Sequence, residues 1–417
     1  MFLLADTAIV GHLGTPELAG LAIAGTVLQT IVGLSVFLAY GTTASVARHL
    51  GAGDLPGALR TGLSGVWLAL VLGTLAGLLC AGSAETIIGW FGTGADIDVH
   101  AESYLRVSSA GVPAMLVVLA TTGILRGLQD TRTPLVVAVV ANLANIVLNL
   151  VLVYGVDMGV AGSALGTVIV QWGSALALGA VVVRAAVREN SSLRPDVREI
   201  LGAARTGVPL IVRTLTLRAA LVLATVVAAG MSPASVAAHQ IALTVVTTLA
   251  FALDAIAIAG QALTGHYLGA GDVAGARRAT ARMVTWGWRC GLLAAAGLAL
   301  LSPWLAQAFS GDEAVHAASL GVLLVVAAVQ PVSGIVFVLD GVLIGAGDGR
   351  YLACAGLVTL VAYVPLALLV DALDAGLSWL WAAYAAFMLA RMVTLVLRER
   401  SDAWLVTGAR RAATAGG

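Results

Sequence analysis

The stretch His49-Leu-Gly-Ala-Gly-Asp54 recurs 218 residues later as Tyr267-Leu-Gly-Ala-Gly-Asp272. The same offset relates five further pairs of residues, which are Pro113 and Pro331, Gly123 and Gly341, Gly127 and Gly345, Asp130 and Asp348, and Arg132 and Arg350. Because one ungapped shift aligns two motifs that lie far apart in the chain, coincidence is a poor explanation. The chain is therefore interpreted as a duplicated unit.

The composition is that of a membrane protein. Of the 417 residues, 60% are hydrophobic and 11% are charged, and the mean hydropathy is +0.99. A soluble domain carries about 25% charged residues, and disordered chains combine low hydrophobicity with high charge, so both classes are excluded. The charges of the 22 basic and 22 acidic residues cancel. The chain therefore lacks the excess of positive charge that is typical of nucleic-acid-binding proteins.

Apolar runs predict the membrane-spanning helices, each of which needs roughly 20 residues. An apolar piece at 1–11 is taken as the first helix, and eleven runs follow at 18–47, 58–83, 105–126, 134–154, 160–183, 206–230, 235–267, 283–308, 317–345, 351–371 and 377–397. The chain is thus predicted to be an all-α polytopic membrane protein of two six-helix repeats. Since six is even, both repeats enter the membrane in the same sense and are parallel.

Arginines mark one side of the predicted bundle. One set of loops and the tail carry Arg48, Arg60, Arg126, Arg132, Arg188, Arg194, Arg198, Arg205, Arg277, Arg278, Arg282, Arg350, Arg398, Arg400, Arg410 and Arg411. The alternate loops carry acids and no arginine. Basic loops stay on the cytoplasmic side, so we predict a multi-pass plasma-membrane protein with a cytoplasmic C-terminus.

The repeat also predicts the domain boundaries. We expect an N-terminal lobe at 1–187, a cytoplasmic connector at 188–204, a C-terminal lobe at 205–398 and a cytoplasmic tail at 399–417. The second lobe's first helix begins near Arg205, so its counterpart would begin near position −13. Helix 1 is therefore expected to be truncated at its N-terminus.

Ionisable residues inside spans are costly and mark candidate functional sites. Asp6 lies at a depth similar to Asn145, Asn149 and Thr167, all roughly 8–13 Å from the outer ends of their helices. A desolvated carboxyl there favours its protonated form and could carry a proton, whereas carboxylate, amide and hydroxyl oxygens together suit Na⁺. The alternatives are that Asp6 caps a turn or binds a backbone group near the membrane interface, and that the asparagines only join helices by hydrogen bonds.

The second half carries another polar set, made of Arg213, Arg218, Asp254 and Asp340. Buried charges of opposite sign pair, so a fixed ion-pair network is favoured over a role in coupling or substrate binding. Neither of the two acids, nor Asp6, has an ionisable counterpart at the 218-residue offset. The halves thus share a scaffold and differ in their polar sites.

The sequence gives no sign of an enzyme. Gly-Ala-Gly-Asp occurs at 51–54, 269–272 and 345–348, and intramembrane aspartyl proteases use a Gly-x-Gly-Asp element. Here these elements lie at loop ends beside arginines, where a turn with a C-capping glycine explains them better. Three separate cysteines and no Cys/His cluster predict no metal site. We therefore expect no catalytic residue and no cofactor beyond a coupling ion.

Five motifs resemble those of the multidrug and toxic compound extrusion (MATE) family, in its DinF-like branch. They are Leu4-Ala-Asp-Thr-Ala-Ile-Val-Gly-His-Leu-Gly14, Leu125-Arg-Gly-Leu-Gln-Asp-Thr-Arg-Thr-Pro134, Asn145-Ile-Val-Leu-Asn149, Gly159-Val-Ala-Gly-Ser-Ala-Leu-Gly-Thr167 and Ala237-Ala-His-Gln-Ile-Ala242. The resemblance implies a 12-helix bundle whose two lobes surround a cavity that opens alternately to each side. It also implies export of amphipathic, often cationic compounds in exchange for H⁺ or Na⁺.

The resemblance further implies roles for particular residues. The family's helix 1 aspartate, helix 5 asparagine and helix 6 threonine match Asp6, Asn145 and Thr167. Some archaeal relatives carry a second acid where this chain has Asn149, and the NorM-like branch has an acid on helix 7 where it has Leu217. Coupling is therefore expected to depend on Asp6 alone.

Two other functions stay open at this point. A lipid-linked precursor flippase of the same superfamily would need an arginine-lined cavity, for which only Arg213, Arg218 and Arg289 are available. A non-transporting membrane receptor or assembly factor would show no substrate-dependent ion flux. The expected partners are small amphipathic molecules and the lipid bilayer, with no nucleic acid, and the protein is expected to be a monomer.

Overall fold

The structure is a computed structural model that describes residues 2–409; the predicted tail arginines Arg410 and Arg411 lie outside the described residues. The described chain is helical, with short turns between helices and no strand. Its contacts divide it into unit 1, formed by Met1–Leu50 and Asp54–Gly207, and unit 2, formed by Gly51–Gly53 and Val208–Gly417. Each unit is described separately below.

The first half of the chain contains nine α-helices and a π-helical turn within the described residues. They are α1 Phe2–Val10, α2 Thr15–Ser35, α3 Phe37–Gly51, α4 Leu55–Gly82, α5 Ala84–Gly89, α6 Ala95–Ser109, α7 Val112–Gly127, α8 Arg132–Leu150, the π-helical turn Val151–Gly155 and α9 Gly159–Arg188.

The second half contains six helices, again counting only the described residues. They are α10 Val197–Ala229, α11 Pro233–Gly269, α12 Val273–Phe309, α13 Glu313–Gly345, α14 Gly349–Ala372 and α15 Leu377–Arg400.

The predicted all-α membrane fold is confirmed. Ten described helices are long and apolar enough to cross a membrane, and the bent pair α6 and α7 makes eleven. Helix α1 has 9 residues, a length of about 13 Å. Two helices begin earlier than the spans predicted for them: α6 begins at Ala95, ahead of the span predicted at 105–126, and α10 begins at Val197, ahead of the span predicted at 206–230.

The repeat is visible in the way its glycines pack. A Cβ atom added to Gly123 would lie 2.6 Å from the carbonyl oxygen of Ala39, and one added to Gly341 would overlap the backbone of Ala257. Ala39 and Ala257 are themselves 218 residues apart. The second glycine of each repeat makes the matching contact, Gly127 with Thr43 and Gly345 with Gln261. Small residues let membrane helices approach closely, so the glycine pair joins the same two spans in both units.

The matched prolines do not act alike. In unit 1 the chain bends by 50° between α6 and α7, and Pro113 lies in the first turn of α7. In unit 2 Pro331 lies inside α13, which runs unbroken. The bend contains Gly111, whereas the counterpart of Gly111 is Val329. Proline removes a helical hydrogen bond and a nearby glycine loosens the backbone further, so the helix breaks at Pro113, two residues after Gly111, and stays continuous at Pro331.

The loop motifs form the predicted glycine turns. Gly53 and Gly271 have φ angles of 75° and 76°, a left-handed conformation that glycine adopts without strain. Asp54 and Asp272 then cap the next helices, accepting the Gly57 amide at 2.9 Å and its counterpart in unit 2 at 2.7 Å. Hydrogen bonds from His49 and from the Gly57 amide hold the pKa of the Asp54 carboxyl below its usual value.

The turns at Gln129 and Gly347, which the repeat relates to each other, predict a stabilising substitution. Gln129 has a φ angle of 64° at the position where unit 2 has Gly347, whose φ is 71°. A side chain in the left-handed conformation costs about 1–2 kcal/mol. We expect Gln129→Gly to raise stability by about 1 kcal/mol, measured by thermal unfolding in detergent. Gln129→Ala keeps the strain and should give no gain; an equal gain from alanine would contradict the explanation.

Candidate functional site

A buried carboxylate in unit 1 gathers four polar side chains. The Asn149 amide donates to Asp6 Oδ1, and the Thr167 hydroxyl donates to Asp6 Oδ2 at 3.3 Å. Asn145 Nδ2 donates to Thr167 Oγ1 at 2.9 Å. Only 1% of Asp6 is exposed, and the asparagines are fully buried. The structure therefore brings together all four residues that the sequence placed at one depth.

The third side chain that donates to Asp6, Tyr104, was not predicted. Its hydroxyl donates to Asp6 Oδ2 at 3.2 Å, and its side chain is buried. The predicted span 105–126 began one residue after Tyr104 and so left it out, whereas α6 begins at Ala95 and includes it. A prediction that included Tyr104 in the span would have identified it as a candidate, because a tyrosine hydroxyl buried at that depth needs a hydrogen-bond partner. We call Asp6, Tyr104, Asn145, Asn149 and Thr167 the Asp6 cluster.

Local backbone features hold the Asp6 cluster in place. Helix α8 widens into the π-helical turn Val151–Gly155 two residues after Asn149, and π-helical turns occur frequently at functional sites. A side chain at Gly166 would overlap Asn149 Oδ1, so glycine is needed there. From the turn, the Tyr154 hydroxyl donates to the Ile9 carbonyl at 2.6 Å, which ties the end of α1 to α8.

The hydrogen-bonding capacity of the cluster is only partly used. Asp6 accepts hydrogen bonds from three side chains, and no arginine or histidine of the described chain forms an ion pair with it. Asn145 Oδ1 and Asn149 Oδ1 are buried without a hydrogen-bond partner among the described residues. Such an acceptor costs roughly 1–3 kcal/mol. Carboxylate, amide and hydroxyl oxygens together can hold a hard cation or exchange a proton.

Unit 2 contains a buried ion cluster, but its members differ from the predicted set. Arg213 on α10 pairs with Asp340 on α13, and the second cation is Arg391 on α15, whose Nη2 lies 2.7 Å from Asp340 Oδ2. Arg218 is exposed, because five residues along a helix turn a side chain about 140° away from Arg213. Asp254 lies half-buried on α11.

Arg391 was missed although its signal was present. It is an arginine inside the apolar run predicted as the span 377–397, and a charge inside a span is a candidate by default. Its side chain is 6% exposed. The ion pairs of Asp340 join α10, α13 and α15, which supports the structural reading of this cluster.

Parallel repeats of membrane helices with buried polar clusters are an architecture of secondary transporters. A family model described as MatE matches residues 1–151 and 209–369. The chain belongs to the MATE family of multidrug and toxin efflux transporters, as its motifs predicted, and it is a transporter and not an enzyme. Among described residues, no group of three or more His, Cys, Asp or Glu side chains could hold a metal ion.

Similarity to known proteins extends over most of the chain. It is 32% identical to Protein DETOXIFICATION 44, chloroplastic, of Arabidopsis thaliana over 96% of this chain and 79% of that protein. It is 32% identical to DNA damage-inducible protein F of Escherichia coli over 64% of this chain and 60% of that protein. The crystal structure of the Vibrio cholerae MATE transporter VcmN in the bent form matches with a TM-score of 0.87 and 21% identity, over 97% of this chain and 92% of that one.

Proposed function

We propose that the chain is a secondary active antiporter that exports amphipathic, cationic organic compounds in exchange for H⁺ or Na⁺ by alternating access. The Asp6 cluster carries this proposal. It places one carboxylate, 1% exposed, among amide and hydroxyl groups that can change their hydrogen bonds or act as ligands when a proton or Na⁺ binds. Family membership supports efflux, and two relatives bear the names Multidrug resistance protein PmpM and Probable multidrug resistance protein NorM.

Proton binding would change the hydrogen bonds of the Asp6 cluster. The ionised carboxylate accepts from Tyr104, Asn149 and Thr167. A protonated Oδ1 becomes a donor, so Asn149 has to turn its free Oδ1 toward it and withdraw its amide hydrogens. Thus α1 and α8 prefer different contacts in the two protonation states. A ligand shifts two conformations only by its differential affinity for them, and these contacts would supply the difference.

Sodium would use the same atoms in another way. Asp6 and the free oxygens of Asn145 and Asn149 are ligands of the kind that hard cations prefer. In either case the exported cation and the coupling ion would compete for the one negative charge. We further propose that the protein lies in the plasma membrane as a monomer, with its arginine-bearing loops and its C-terminus on the cytoplasmic side.

Dye efflux from proteoliposomes tests the proposal when pH and Na⁺ gradients are imposed separately. One of the two gradients should drive uphill export of a cationic dye, and the dye should in turn drive flux of the coupling ion. The liposomes without protein are the control. Efflux that follows neither gradient would contradict antiport, and transport of lipid-linked precursors instead would favour the flippase.

Two asparagines of α8 provide a matched pair of variants. Asn149 donates to Asp6, whereas Asn142 is half-buried and donates to the Ala138 carbonyl of its own helix. We expect Asn149→Ala to lower gradient-driven efflux at least about tenfold, since a hydrogen bond to a charged group contributes roughly 1.5–3 kcal/mol. Asn142→Ala should transport like the unmodified chain. Equal effects of the two substitutions would argue against a role for the Asp6 cluster.

A further inference from the structure

Helix α12 carries three exposed arginines along one face. Arg278, Arg282 and Arg289 are exposed, and the face that carries them lies opposite the buried positions Met283 and Gly287. At about 100° per residue, Arg289 lies within roughly 20° of both other arginines around the helix axis. Arg278 and Arg282 are about 6 Å apart along the axis, and Arg289 follows about 10 Å further. The three guanidinium groups thus form a column, here called the arginine column.

The arginine column has no acidic partner in the described chain. The ion pairs there include Arg277 with Asp402 but none with Arg278, Arg282 or Arg289. The guanidinium carbon of Arg289 lies 6.0 Å from the ring centroid of Trp286, within the range of a cation–π contact. Three positive charges therefore stand together without compensation from this part of the protein.

The column lies where lipid headgroups meet the acyl chains. From Arg289 to the end of α12 at Phe309 the helix continues for 20 residues, which spans about 30 Å, the thickness of a hydrocarbon core. That part exposes large apolar side chains, among them Leu293, Leu300 and Trp304, as expected of a lipid-facing surface. Trp286 and Trp288 are also exposed, and tryptophan is enriched at the membrane interface.

The repeat supplies an internal comparison. In α4 of unit 1 the counterparts of Arg282 and Arg289 are Ser64 and Val71, and only Arg278 has a basic counterpart, Arg60. Arg60 is neutralised, because its Nε lies 3.2 Å from Glu199 Oε1. The other carboxylate oxygen of Glu199 accepts from Ser64 at 3.2 Å. The shared fold therefore does not require the arginine column, which α4 lacks.

We propose that the arginine column binds an anionic phospholipid from the leaflet next to the arginine-bearing loops. The headgroup phosphate would accept hydrogen bonds from Arg282 and Arg289, with Arg278 adding charge at the outer edge. Arginine suits phosphate because its planar group offers paired donors. The acyl chains would lie along the exposed apolar side chains of α12, and Trp286 would hold the Arg289 side chain in place.

Spin-labelled lipids measure this preference in proteoliposomes of phosphatidylcholine and phosphatidylglycerol. Each basic residue near an anionic surface contributes about 1 kcal/mol, or roughly fivefold. We expect the full chain to prefer phosphatidylglycerol over phosphatidylcholine, and Arg278→Gln/Arg282→Gln/Arg289→Gln to lower that preference at least about fivefold. The matched control, Arg184→Gln/Arg188→Gln/Arg194→Gln, removes three exposed arginines from unit 1 and should keep it. No preference in the unmodified chain, or an equal loss in the control, would overturn the proposal.

A second measurement needs no variant and so does not depend on folding of the triple substitution. A photoactivatable phosphatidylglycerol is cross-linked to the unmodified chain, and the labelled peptides are identified by mass spectrometry. Adducts should concentrate on peptides from the first half of α12 and should decrease at high salt, which screens exposed charges. Equal labelling of α4 and α12 would show that no specific lipid site exists on the arginine column.

Discussion

Asp6→Asn is expected to abolish ion-coupled efflux while leaving the protein folded. Asparagine keeps the shape of the side chain and can still accept hydrogen bonds from Tyr104 and Thr167, which both bond to Oδ2. It cannot exchange a proton and carries no charge for Na⁺ or a cationic substrate. We expect gradient-driven export of a cationic dye from proteoliposomes to fall by at least about a hundredfold, the magnitude typical of losing a positioned acid–base group.

The control for Asp6→Asn is the same substitution at an exposed carboxylate of unit 1. Asp157 follows the π-helical turn, is exposed, and has a φ of 58°, which asparagine tolerates. Asp157→Asn should export dye at the unmodified rate. Thermal unfolding of both variants shows whether each is folded. If Asp6→Asn exports dye with an unchanged dependence on the pH or Na⁺ gradient, the coupling role of Asp6 is wrong.

Asp340→Asn is expected to cause the largest loss of stability. The carboxylate of Asp340 pairs with both Arg213 and Arg391, and the Asp340 and Arg391 side chains are 5% and 6% exposed. Removing one partner of a buried ion pair costs about 3–5 kcal/mol, because the remaining charge stays buried and uncompensated. Unfolding in detergent, followed by heat or denaturant, measures this loss.

Replacement of the whole ion cluster tests the reason for that loss. In Arg213→Met/Asp340→Leu/Arg391→Met no charge of the cluster remains, and apolar side chains of similar volume often match or exceed the stability of a buried ion pair. We expect this variant to recover most of the stability that Asp340→Asn loses. Asp371→Asn, at an exposed carboxylate of α14, should have little effect. A triple variant as unstable as Asp340→Asn would point to a contact other than charge pairing.

The membrane helices and the repeat could be predicted from the sequence because both depend on local or periodic features. An apolar run of sufficient length forms a membrane-spanning helix wherever it occurs, since the bilayer requires internally satisfied backbone groups. The glycines at 123, 127, 341 and 345 were found by the repeat alone, and each contacts the equivalent backbone in its own unit. Helix ends were less predictable, as the early starts of α6 and α10 show.

For the Asp6 cluster, depth along each helix was sufficient to bring four of the five residues together. Depth is set by the distance from the helix end, which the sequence contains. It does not contain the rotation of each helix about its axis. That rotation decides that Tyr104 donates to Asp6, and that Arg391, not Arg218, joins Arg213 at Asp340.

The sequence by itself determined the membrane class, the duplicated unit and the depth of the polar residues, because hydrophobicity and spacing are properties of each segment alone. Only the tertiary structure decided which polar groups meet, and that an arginine column stands uncompensated on α12. These features depend on which face each helix turns toward its neighbours. That choice follows from packing among many helices and not from any one of them.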